Sequence, residues 1–79
     1  MYELRAHIAV DPEIRFGKPC IKGTRITVGD ILQWLSRGMT EQEIIADYPE
    51  LQKVHIRAAL AFAAERDTVN KVFAHETVA

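Results

Sequence analysis

The chain has 79 residues, a formal net charge of −1 and a composition that is 48% apolar. One domain of this length buries only about 60–65% of the surface its unfolded form exposes, which excludes a large multidomain enzyme and leaves a marginal core. Cys20 is alone, so no intramolecular disulfide can form, and His7, His55 and His75 are too scattered to complete a zinc pattern with it; self-association is the staple left over.

The first segment, Glu3 to Val10, mixes polar and apolar residues and allows a short strand at His7–Val10. It has no basic stretch followed by an apolar run, and no segment approaches the roughly 20 apolar residues needed to span a bilayer, so a cytoplasmic protein is expected. Asp11-Pro12 reads as a turn. The stretch from Gly17 to Ile26 is too rich in Gly and Pro for a helix and reads as a loop leading into a short strand or extended arm, with Ile21 and Ile26 turned inward. Gly-Lys-Pro-Cys at 17–20 lacks the Gly-Lys-Ser/Thr ending of a phosphate loop, so no nucleotide site is expected. Cys20 reads as a small packed residue.

Three helices follow. Thr27 can cap the first, about Val28 to Arg37, on which Val28, Ile31, Leu32 and Leu35 form one face. Trp34 lies off that stripe and is expected to cover the N-terminal strand. Gly38 supplies a helix stop. Thr40 then caps a second helix, with Glu43 completing a capping box and Met39 and Ile44 placed for a hydrophobic staple. Tyr48-Pro49 ends it, because proline disfavours helical geometry in the residue before it. Gln52 is a mediocre cap for the third helix, about Lys53 to Arg66, whose expected core stripe is Ile56, Ala59, Leu60 and Ala63.

The small net charge hides an asymmetry. Residues 14–29 carry Arg15, Lys18, Lys22 and Arg25 with no acid, whereas residues 38–50 carry Glu41, Glu43, Asp47 and Glu50 with no base. The four bases suit phosphate contact; the alternative is solvated surface, with Arg25 pairing a structural acid such as Asp30. Gln52, Lys53, His55 and Arg57 cluster at the start of the third helix, where a recognition helix meets base edges, and a solvated helix face is the competing reading. The run Ala58–Ala64 is apolar on every side, which makes Ala58, Ala61 and Phe62 candidate interface residues.

The run from Asp11 to Val28, with its Gly-x-Pro-x-Ile-x-Gly-Thr-Arg-Ile core, resembles the domain-of-unknown-function 433 family of bacteria and archaea. The likeness continues through Trp34-Leu35, Gly38, Tyr48-Pro49-Glu50-Leu51 and Ile56–Leu60, covering residues 6 to 66. The resemblance implies an antitoxin-like (VapB-type) helix-turn-helix protein preceded by short strands. Such a protein neutralises a PIN-like nuclease toxin and represses their shared promoter.

The expected architecture is mainly α: a three-helix, helix-turn-helix domain of winged-helix or homeodomain-like form with short N-terminal β-strands, over residues 1–67. Residues 68–79 are expected to form a partner-binding tail, through Val69, Val72 and Phe73. The expected partners are promoter DNA, a PIN-like toxin and a second copy of the chain. A protein-interaction module or stand-alone regulator without a toxin is the alternative. No carboxylate pair, metal cluster or nucleophile–base set is visible, so no enzymatic activity, cofactor or metal is expected.

Overall fold

A computed structural model describes the backbone of residues 2–78 and the side chains of residues 4–66. In chain order the elements are α1 (Tyr2–Arg5), β1 (Ile8–Ala9), a three-residue turn at Arg15–Gly17, β2 (Cys20–Ile21), α2 (Val28–Ser36), α3 (Glu41–Asp47) and α4 (Lys53–Val78). The chain is mainly helical, with three principal helices and a two-stranded antiparallel sheet in which Ile8 pairs with Ile21 and Ala9 with Cys20. Among the described residues no helix is long and apolar enough to cross a membrane.

On the other edge of β2 a hairpin-like turn brings Thr27 into an antiparallel bridge with Cys20. Thr24 closes that turn: its hydroxyl donates to the Ile21 carbonyl at 2.9 Å and accepts from the Ile26 N–H at 3.0 Å. Ile21 and Ile26 are thereby turned into the core, as their positions in the sequence predict. Cys20 is buried beside them and its thiol donates to the Lys18 carbonyl.

Two capping boxes start the next helices. The Thr27 hydroxyl accepts from the Asp30 N–H at 2.8 Å, and the Asp30 carboxylate accepts from the Thr27 N–H at 3.1 Å. Thr40 and Glu43 repeat the exchange at α3, at 3.1 and 2.8 Å. Gly38, at φ +95°, adopts the left-handed backbone that ends α2, and a side chain there would be strained although open space surrounds it. Ile21, Ile31, Ile44, Leu51 and Ile56 are the largest fully buried side chains, where α2, α3, α4 and the sheet converge. Trp34 stacks on Tyr48 with ring centroids 4.3 Å apart, closing α2 onto the end of α3.

The third principal helix departs from the expected pattern in two ways. Its backbone continues to Val78 instead of ending at Arg66, so the segment 68–78 is helical. Its buried arc is also rotated. Ile56 and Ala59 are fully buried, but so is Ala58, whereas Leu60 is 46% exposed. The cause is α1, which with Ile8 packs Leu4 and Arg5 against Ala58, Ala61, Phe62 and Glu65. Arg5 donates to the Glu65 carboxylate at 3.0 Å across this contact. Covering the Ala58 side pulls α4 round and leaves Leu60 outside.

No acid stands in the first turn of α4 to cap it. His55 replaces one: its Nδ1 accepts from the Gln52 N–H at 2.9 Å, which requires that nitrogen to be unprotonated. Burial, and then the charge of His7, hold the His55 pKa below the ordinary value of 6.5. The unfolded chain therefore binds the proton more readily than the folded one. Stability from this cap is complete above pH 6.5 and is lost as pH falls through the lower folded-state value. The thermal midpoint is expected to fall between pH 7.5 and 5.0, and to fall less in His55→Gln; equal losses in calorimetry would refute the cap. Asp30→Ala is expected to lower the unfolding free energy by about 1–2 kcal/mol in urea titration, because it removes one half of a capping box and an arginine partner together.

Candidate nucleic-acid interface

The start of α4 is positioned by the tight connection from α3. The Leu51 N–H donates to the Tyr48 carbonyl at 2.9 Å, and Leu51 is buried, so the chain turns sharply and presents Gln52 and Lys53 outward. Lys53 and Arg57 are both exposed, one helical turn apart. Neither side chain has a hydrogen bond or ion pair with another described residue. This is an unusual place for a lysine. The N-terminus of a helix carries partial positive charge, which disfavours a cation unless an anion approaches. The first turns of α2 and α3 carry acids, Asp30 in one and Glu41 and Glu43 in the other; that of α4 carries none.

His55 is half-buried and turned back to its own helix, so its side chain caps the helix and does not project outward with Lys53. It brings a residue the sequence did not single out. The His7 ring meets the His55 ring edge-on, with centroids 5.2 Å apart. The His7 carbonyl in turn accepts from the Lys22 N–H at 2.8 Å. The backbone of Lys22 is thus linked through His7 to His55, and its own side chain is exposed.

The four bases of the loop do not form one patch. Lys22 is exposed and tied through its backbone to His7. Arg15 and Lys18 line a different feature, an open cleft of about 260 Å³ with Pro19, Thr27, Asp30 and Gln33. Arg15 is committed to its own fold: its Nη1 donates to the Arg25 carbonyl at 2.9 Å and to the Asp30 carboxylate at 3.3 Å. Arg15, and not Arg25, is therefore the structural partner of Asp30. The Arg25 side chain is exposed and, like Lys18, makes no ion pair among the described residues.

The candidate interface residues also divide. Ala58 is 1% exposed and packed inside its own chain, so its side chain is not available to a partner. Ala61 and Phe62 are half-buried; Phe62 packs on the core from one side and carries the Arg66 guanidinium 5.5 Å from its ring centre on the other. The side chains of Val69, Val72 and Phe73 lie outside the described residues. Besides Val10, 63% exposed, two apolar residues that sequence reasoning did not single out as exposed are prominent: Phe16, 95% exposed, and Leu60. Neither has a signal in the sequence, since Phe16 stands in an irregular loop and Leu60 fits a core spacing. Among the described residues no three of His, Cys, Asp and Glu gather closely enough to hold a metal ion.

The chain is similar to a solved structure, the crystal structure of a DUF433 member protein from Anabaena variabilis ATCC 29413. The two share 24% identity and superpose with a TM-score of 0.75, over 92% of this chain and 73% of the other. That likeness shows a common fold. No curated protein matches the chain. The family model described as "Protein of unknown function (DUF433)" matches residues 8–63, from β1 through the first three turns of α4, and the chain belongs to that family.

Proposed function

We propose that this protein is an antitoxin-like (VapB-type) transcriptional regulator that binds DNA through the start of α4, as a dimer. In this reading α2, α3 and α4 act as a helix-turn-helix unit with α4 as the recognition helix, and the chain neutralises a PIN-like nuclease toxin while repressing their shared promoter. The observation that carries the reading is the pair Lys53 and Arg57, exposed, one turn apart and without an internal anion at a helix N-terminus that lacks acids. A phosphate backbone supplies the missing negative charge. Lys22, exposed and linked through its backbone and His7 to His55, is a further base offered to the same phosphate backbone in this reading. The helix α3 is a poor alternative reader, since it bears Glu41, Glu43 and Asp47 and no base. The toxin partner is supported by the family resemblance read from the sequence, and the chain itself carries out no catalytic step.

A second reading, a protein-interaction module without DNA contact, is favoured by the exposure of Leu60 on the same α4 surface as Arg57. The two readings separate in a gel shift on the DNA upstream of the gene, titrated with salt. Binding is expected at low salt and is expected to weaken steeply as salt rises. Lys53→Ala with Arg57→Ala is expected to weaken it at least about tenfold and to reduce the salt slope by about 2, one unit for each phosphate left unneutralised. Unfolding free energy is expected to stay within about 0.5 kcal/mol, because both positions face solvent. No shift at low salt, with or without the adjacent gene product, would leave the interaction module as the better account.

A further inference from the structure

Phe16 stands in a run of three residues with left-handed backbone: Arg15 at φ +51°, Phe16 at φ +60° and Gly17 at φ +80°. That region resists side chains, so two non-glycine residues in succession persist only where neighbours impose them. Here they are imposed. The Arg15 guanidinium is fastened to Asp30 and to the Arg25 carbonyl, the Gly17 N–H donates to the Ile14 carbonyl, and the Lys18 N–H donates to the Arg15 carbonyl. The result is a phenyl ring held 95% exposed on a fixed backbone. Nothing in the chain's own packing uses it. A large apolar side chain ordered in advance loses little freedom on docking and has the character of an interface anchor.

The same surface offers a receptor. A shallow, open and mostly apolar cleft of about 330 Å³ is lined by Pro19, Val28, Leu32, Phe62, Ala63 and Arg66. Pro19 lies three residues from Phe16, and it also lines the Arg15/Lys18 cleft next to that turn. Anchor and receptor are thus neighbours that do not overlap, which is what a self-complementary two-fold contact needs. The charges agree. Glu13, exposed and without an ion pair among the described residues, precedes Phe16, and Arg66 stands at the mouth of the cleft.

We infer that Phe16 of one copy enters the Val28/Leu32/Phe62 cleft of a second copy, and the reverse, to form a two-fold dimer. The inference rests on the dimeric part of the functional reading, whose interface it names, and not on DNA contact. None of its residues belongs to the basic start of α4.

The test is sedimentation velocity on the full chain, as wild type, Phe16→Glu, Ala63→Glu and an equimolar mixture of the two variants. Wild type is expected to be dimeric, and each variant to be monomeric at the same concentration, with a dissociation constant raised at least about 100-fold. The mixture is expected to recover dimer, because the intact anchor of one variant fits the intact cleft of the other. Phe16 is 95% exposed, so Phe16→Glu is expected to leave the fold intact; circular dichroism checks both variants, and Leu32→Glu replaces Ala63→Glu if that chain is unfolded. A wild-type monomer at every concentration would overturn the dimeric reading as well as this interface. A dimer unaffected by Phe16→Glu, or a mixture that stays monomeric, would overturn this interface alone.

Discussion

The Asp30 carboxylate is the contact on which the N-terminal half of the molecule depends. It accepts from the Thr27 N–H, which starts α2, and from the Arg15 guanidinium, which arrives from a loop fifteen residues earlier. A single partly exposed acid therefore decides both where a helix begins and how the loop before it is folded. The ion pair alone is worth little at this exposure, about 0–1 kcal/mol. Its importance lies in what it shares: the same guanidinium also binds the Arg25 carbonyl, so loop, hairpin-like turn and helix are fixed relative to one another at one point. The left-handed backbone of Arg15 and Phe16 is tolerable only inside that arrangement.

The helix α4 has to serve several surfaces at once, and its composition follows from that demand. Ala58 and Ala59 are both buried, on sides of the helix that face different neighbours: the short N-terminal helix with β1, and the main core. Alanine lets backbones approach closely from two directions while keeping helix propensity high. The larger side chains are distributed around these contacts, with Ile56 in the core, Phe62 at its edge and Leu60 outside. Lys53 and Arg57 occupy the arc that none of the neighbours covers. The basic surface is thus a by-product of how α4 is buried, and any change that rotates the helix moves that surface too.

Much of the architecture was legible because helix ends are encoded locally. Thr27, Gly38, Thr40, Glu43 and Tyr48-Pro49 place the limits of α2 and α3 within a residue, since each acts on backbone groups at most four positions away. The strand at Ile8 and the inward turn of Ile21 and Ile26 followed from composition in the same way. What escaped depends on distant parts of the chain. The four-residue α1 has no periodicity to read, and without it nothing in the α4 sequence says that Ala58 is covered and Leu60 is not. The partner of Asp30 is a choice among several nearby arginines that spacing cannot make. Of the candidate site, Lys53 and Arg57 were readable from helical spacing, whereas the gathering of Lys22, His7 and His55 arises from the sheet. The His55 cap lay within reach, because it stands three residues after Gln52, where a capping box would hold a glutamate.

The stacked pair Trp34 and Tyr48 gives the molecule a built-in optical reporter. Trp34 is the sole tryptophan, and its indole lies face to face with a phenol at an interplanar angle of 11°. Its emission therefore senses whether the end of α3 is seated on α2, and it is insensitive to events at the far end of α4. Fluorescence and backbone probes followed together would distinguish loosening of that hinge from melting of the long helix, since the two signals originate in different parts of one small chain.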